Sequence, residues 1–322
     1  MRFVKKYIFL GFILVLGHTE AQQNPQYSMY MMNPFTINPA VSSTEDYIDA
    51  QIGHRTQWTS FEGAPKTTFI TAYGTINKPF YQYHYKQEHA NWHGVGFQFF
   101  DDKAGAIQQN AYLFAYSYNM GITRKTRLSI GSYLGFKQLR TDRSLWENID
   151  DGSDFVFLSS LSSKIKPELQ LGAVLYNDDF FVTFSATNLV GQQISFREST
   201  DNRTNAILQK HYFLSGGVKL PASEKMTFTP STMIRYTANT PVSTDLNLKV
   251  DHEQLFWYGA SVRVLESANV FAGLNFKKII DLTYAYEYTF SSIGNFNNGT
   301  HEVIVGLRLQ HPKNIIDPSK FW

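Results

Sequence analysis

The chain has no cysteine in 322 residues, which excludes a disulfide framework, a thiolate metal site and a lipid-modified N-terminal cysteine. Beyond the first 21 residues no run of about eighteen apolar residues occurs, so helical membrane spans are excluded too. Charge is sparse: charged residues make up 17% of the chain and the formal net charge is +2. A nucleic-acid partner needs a concentrated basic face, and the sequence offers none. Catalytic signatures are also missing: there is no Gly-x-Ser-x-Gly elbow, no phosphate-cradling glycine loop and no His-Glu-x-x-His helix. The chain reads as a non-enzyme without a cofactor or a metal.

Two clusters could suggest otherwise. Asn148, Asp150, Asp151 and Asp154 supply oxygens but lack the terminal carboxylate of an EF-hand, so they read as a solvated loop tip. His84, His89 and His93 are interleaved with Tyr81, Tyr83, Tyr85 and Trp92, the composition of an interfacial aromatic girdle rather than of a metal site.

What is present begins with a targeting segment. Arg2, Lys5 and Lys6 precede an apolar run over residues 8–16, and a small residue, Ala21, follows. This is the pattern of a secretory signal peptide over residues 1–21, cut after Ala21. Its removal takes away three Lys/Arg and one Glu, and the formal charge of +2 falls to zero.

The remainder is rich in aromatics, 16% of the chain, and in strict alternation. Ile280, Leu282, Tyr284, Tyr286, Tyr288 and Phe290 fall on one face; Asp281, Thr283, Ala285, Glu287 and Thr289 fall on the other. Side chains leave a pleated strand on opposite sides, so a period of two marks a strand. An aromatic-aliphatic face backed by a polar one suits a strand between lipid and a polar lumen. Similar segments recur over residues 47–54, 66–77, 92–100, 108–119, 126–137, 168–176, 180–188, 211–220, 225–238, 243–250 and 254–264, with three more up to residue 310. The prediction is an all-β fold: a transmembrane antiparallel β-barrel of about fourteen strands over residues 45–310, set in the lipid bilayer of the outer membrane. Loop lengths agree with a periplasmic N-terminus. The long connections 138–167, 189–210 and 291–300 are odd-numbered and face outward, while 177–179, 221–224 and 251–253 are tight turns. The long connection 78–91 breaks this parity.

Residues 22–44 do not alternate. Prolines at 25, 34 and 39 each follow Asn, a turn-forming pair, yet Tyr27, Met29, Tyr30, Met31, Met32, Phe35 and Ile37 are too apolar for a solvated tail. The segment is expected to plug the lumen or its periplasmic mouth, with Asn33, Pro34, Asn38 and Pro39 as its turn residues.

The Asn33-Pro34…Asn38-Pro39-Ala40 pair is followed by a strand from Tyr47 and by Arg55-Thr56-Gln57-Trp58-Thr59-Ser60-Phe61-Glu62-Gly63-Ala64-Pro65-Lys66-Thr67. Together these resemble the PorP/SprF family of Bacteroidota outer-membrane proteins, associated with the type IX secretion system and gliding motility. The resemblance is densest over residues 22–76. It implies a non-enzymatic role: receiving or anchoring a secreted protein, with an adhesin-like C-terminal domain, at the cell surface alongside other type IX components. Arg55, Gln57, Trp58, Phe61, Gly63 and Pro65 are the candidate partner-binding residues at the outer rim. An equal reading makes Trp58 and Phe61 interface anchors and Gly63-Ala64-Pro65 turn formers, and the two readings are compatible. The tail 311–322, running through Pro312 and Pro318 to Trp322, departs from the expected barrel ending. A passive porin or hydrophobic-solute transporter is the alternative function that the barrel pattern alone permits.

Overall fold

The computed structural model describes residues 27–76, 90–141, 164–190, 193–195, 205–207, 209–238, 240–253, 255–291, 294 and 296–309. The signal peptide, His84 and His89, the acidic cluster 148–154 and the tail 311–322 lie outside the described residues.

Alternation becomes structure in a closed antiparallel barrel. Its first half is β1 (Ile48–Thr56), β2 (Lys66–Ile76), β3 (Trp92–Ala104), β4 (Ile107–Gly121), β5 (Arg127–Thr141), β6 (Lys164–Tyr176) and β7 (Phe180–Thr187). A small ribbon of β8 (Gln193–Ser195) and β9 (Asn205–Ile207) stands apart from the wall. The second half is β10 (His211–Val218), β12 (Met226–Thr237), β13 (Ser243–His252), β14 (Phe256–Arg263), β15 (Ser267–Phe276), β16 (Ile280–Thr289) and β17 (Thr300–Leu309), with β11 (Leu220–Pro221) prolonging the β10 side of its hairpin. The wall closes where β1 meets β17, in register from Ile48 opposite Leu309 to Thr56 opposite His301. Fourteen strands make the wall, and closure leaves no edge with unpaired amides, the condition for crossing lipid as a sheet.

The outward face is apolar. Phe114 and Leu134 oppose each other at the centres of β4 and β5, and each is 60% exposed. The Phe97–Phe114, Phe99–Tyr112 and Tyr112–Phe136 ring pairs extend this surface across three strands. His93 joins the girdle, its Nδ1 2.7 Å from the Tyr116 hydroxyl. The inward face is the reverse, carrying Gln98, Ser129, Lys137, Glu168, Asn247, Glu287 and Glu302, all buried.

Residues 27–44 fill part of that lumen. The two Asn-Pro pairs open short 3-10 helices, Pro34–Thr36 and Pro39–Ser43, with Asn33 and Asn38 at their N-caps. Proline suits such a start because its missing N–H would have no partner there, and the Asn38 side chain accepts from the Ala40 N–H.

Candidate functional site

The lumen has two unlike sides. Along β3, β5 and β6 the wall is thinned by glycine where the plug lies. A Cβ on Gly131 would sit 2.8 Å from the Ala40 nitrogen, and one on Gly94 2.5 Å from the Ser43 nitrogen. Main chain therefore touches main chain, and hydroxyls and amides complete the seat. Ser42 meets Ser117 at 2.7 Å, Tyr133 donates to the Phe35 carbonyl at 2.6 Å, and Trp92 donates to the Ser43 carbonyl at 2.7 Å. The Asn38 amide reaches two wall carbonyls, of Ala173 and Phe184, each at 3.1 Å. Buried backbone groups need partners, and the plug's are shared between its own short turns, such as Thr36 N–H to the Asn33 carbonyl and Thr44 N–H to the Val41 carbonyl, and the wall.

The opposite side carries charge. Arg235, Asp245, Arg263, Glu287, Arg55 and Glu302 form a belt of alternating sign across β12, β13, β14, β16, β1 and β17. Arg263 Nε is 3.1 Å from Asp245, and Arg55 is 3.3 Å from Glu287 and 3.7 Å from Glu302. Three guanidinium groups balance three carboxylates, which is how buried charges are tolerated. The plug is tied into the belt: the Ser28 N–H donates to Glu302 at 2.8 Å, Arg55 donates to the Ser28 hydroxyl at 3.1 Å, and Asn269 donates to the Ser28 carbonyl at 3.0 Å.

Two residues further along the same strands, the wall holds the rim. The Trp58 N–H donates to Thr300 Oγ1 at 3.2 Å and the Trp58 indole to Thr289 Oγ1 at 3.3 Å. The Thr59 N–H donates to the Gly299 carbonyl at 2.8 Å, and the Asn298 N–H returns a bond to the Thr59 carbonyl at 2.8 Å. On its other side the loop accepts at Gly63 from the Gly105 N–H at 2.9 Å. Trp58 and Ser60 adopt φ of +44° and +78°, a left-handed backbone that these bonds sustain. The clasp leaves Phe61 50% and Phe296 76% exposed, one on each of the two loops it joins.

Of the residues singled out in the sequence, Asn33, Pro34, Asn38 and Pro39 lie in the plug, and Gln57, Trp58, Phe61, Gly63 and Pro65 lie in the rim loop, where Gln57 donates to the Pro65 carbonyl. Arg55 departs from its group. It is 1% exposed inside the lumen, so it holds the plug and the wall and cannot meet a partner on the rim. Its direction follows from period two, since Asp49, Gln51 and Gly53 on the same strand also point inward. The belt residues Asp245, Arg263, Glu287 and Glu302 were visible in sequence only as charges on polar strand faces; their alignment depends on register.

Below the plug a cavity of about 750 Å³ opens at the end of the barrel bearing the short turns. Its wall includes Asp49, Gln51, Lys249, Trp257, Asp281 and Arg308. At the mouth, Lys225 donates to Glu253 at 2.8 Å and holds that exposed carboxyl below the usual carboxylate range. Among the described residues, no group of three His, Asp or Glu side chains is arranged to hold a metal ion.

A family model described as "Type IX secretion system membrane protein PorP/SprF" matches residues 19–307. The chain belongs to the PorP/SprF family. That is a family of secretion-system membrane proteins, not an enzyme family, and membership implies other secretion components as partners. No curated protein sequence is detectably similar to this PorP/SprF chain. Among solved structures, the CymD monoaromatic hydrocarbon channel superposes with a TM-score of 0.49 at 11% identity, covering 88% of this chain and 94% of that one. The P. putida toluene transporter TodX gives 0.48 at 9%, covering 87% and 94%. The translocator domain of the autotransporter NalP from Neisseria meningitidis gives 0.40 at 11%, covering 82% and 88%.

Proposed function

We propose that this PorP/SprF chain is a non-enzymatic outer-membrane barrel of the type IX secretion system that receives a secreted protein and retains it at the cell surface. Residues 1–21 direct its export. The rim carries the contact: Gln57, Trp58, Gly63 and Pro65 shape the loop, and Phe61 presents an aromatic side chain beside Phe296. The observation that supports this best is the clasp, which holds two exposed phenylalanines on ordered backbone instead of burying them. Preorganised aromatic anchors dominate many protein interfaces. A passive porin or hydrophobic-solute transporter needs a continuous path through the lumen. A plug seated without room for a Cβ, and tied to a charged belt, speaks against one. An adhesin as cargo would connect the chain to gliding motility.

The test compares type IX cargo in culture medium and on cells. In a strain carrying Phe61→Ser and Phe296→Ser, cargo should move to the medium while the barrel still assembles, because losing one central aromatic costs an interface about 2 kcal/mol. If a strain lacking the chain keeps every type IX cargo on its cells, retention is not its function.

A further inference from the structure

The outward face changes character at one height on β1 to β5. Backbone pairing aligns residues of neighbouring strands into rows that run around the barrel on one face. One row reads Ile52, Ile70, Phe99, Tyr112 and Phe136, all aliphatic or aromatic. Two residues nearer the rim the row reads His54, Thr68, Asp101, Asn110 and Gln138. Two residues further it reads Thr56, Lys66, Lys103, Gln108 and Arg140. An apolar wall that turns polar over two rows, about 7 Å apart, marks where hydrocarbon gives way to headgroups. Lys66, Lys103 and Arg140 in the last row are exposed, and among the described residues none of the three has an ion-pair partner. Asp101, in the row beneath, accepts from Gln108 Nε2 at 2.7 Å, and Arg140 donates to Gln138 Oε1 at 2.8 Å. Lys66 stands directly opposite Lys103, and like charges so placed repel unless an anion lies between them. Followed the other way from Thr56, the row passes His301, Tyr286, Val270, Ala260 and Leu248 and carries no Lys, Arg, Asp or Glu. The cations are confined to one arc of the wall.

We propose that this arc binds an anionic lipid of the leaflet at the rim end, with the lipid phosphate between Lys66 and Lys103 and its acyl chains on the rings below. Ammonium and guanidinium groups are the donors that phosphate takes. Lys103 and Arg140 lie two strands apart, about 10 Å at the backbone, a gap that two long side chains close around one headgroup. Beneath them Phe99, Tyr112 and Phe136 form an unbroken aromatic surface, with ring centroids 5.0 and 5.4 Å apart. Free phosphate would use the cations but not the rings, so charge and apolar surface together select a lipid. The arc faces sideways into the membrane, and the retention role makes no use of it.

Native mass spectrometry of the full chain in detergent tests this. The probes are dioleoyl phosphatidylglycerol, dioleoyl phosphatidylcholine with the same chains but no net charge, and inorganic phosphate. Phosphatidylglycerol should bind more tightly than either of the others. Lys66→Gln and Lys103→Gln should each weaken it about fivefold, the share of one basic side chain at an anionic surface, and leave phosphatidylcholine unchanged. Lys125→Gln, the same loss of charge in the exposed turn at the far end of the β4–β5 hairpin, should change neither. Lys103→Glu sets opposite charges face to face with Lys66, which favours the strand pairing. In that variant the advantage of phosphatidylglycerol should vanish while the heat-induced gel shift of the folded barrel persists. Equal affinity for the two lipids, inorganic phosphate binding as tightly as phosphatidylglycerol, an equal loss in Lys125→Gln, or an undiminished preference in folded Lys103→Glu would overturn the proposal. Binding of neither lipid would do so too, and is the result expected if an acidic protein face covers the arc.

Discussion

Replacing Arg55 by Met tests whether the charged belt holds the plug and the seam together. Arg55 is 1% exposed, so its pairs belong to the buried class and not to surface ion pairs worth about 0–1 kcal/mol. Methionine keeps much of the volume and removes three polar contacts: to Glu287 at 3.3 Å, to Glu302 at 3.7 Å and to the Ser28 hydroxyl at 3.1 Å. Glu287 still has Arg263 at 3.8 Å, whereas among the described residues Glu302 keeps the Ser28 and Met29 N–H groups, at 2.8 and 3.3 Å. Breaking one side of a buried pair costs about 3–5 kcal/mol, mostly from the charge left behind, and Glu302 is that charge here. Adding Glu302→Gln should restore most of the loss, because the amide oxygen still accepts from both N–H groups. Urea titration of the refolded protein in lipid vesicles, followed by tryptophan fluorescence and by gel shift, gives the three stabilities. A loss below about 1 kcal/mol in Arg55→Met, or a double variant as unstable as the sum of the two singles, would refute the reasoning.

Three further outcomes are expected. Leu134→Arg, at the centre of the outward face, should cost about 2–4 kcal/mol, and Leu134→Phe, which keeps that face apolar, much less, by the same titration. Gly172→Val places side-chain atoms where the Asn38 side-chain oxygen Oδ1 now lies, so the barrel should still form but conduct ions in planar bilayers, with conductance near that of the parent refuting the seat. A peptide tag inserted near residue 202 should be reached by antibody on intact cells and one at Asp178 should not; equal labelling of both would invert the orientation.

The fourteen strands were legible because lipid imposes a period of two, and each predicted segment overlaps one strand of the wall. The differences concentrate where lipid stops. β3 runs on to Ala104 and β5 to Thr141, and β6 begins at Lys164, several residues beyond the expected limits. Those extensions, such as Asp101-Asp102-Lys103 and Lys164-Ile165-Lys166-Pro167, are paired by backbone but have weak or no apolar alternation. The plug was legible for the complementary reason, as Met29, Met31 and Phe35 need burial and Pro34 and Pro39 forbid a ladder. The charged belt and the cavity were not legible. Arg55 and Glu287 are 232 positions apart in the chain, and only the shear of the closed wall makes them neighbours.

Ser28 is among the first described residues, and its partner Glu302 belongs to the last strand, 274 positions later. The start of the luminal segment and the last strand therefore meet at one place, beside the seam where β1 joins β17. A wall that zipped shut with its leading segment outside would trap Arg55, Glu287 and Glu302 facing a gap. Such a product would lack the hydrogen bonds of Ser28, Met29 and Asn269 that complete the belt. The seam therefore completes its buried hydrogen bonds only with the segment from Ser28 inside the wall.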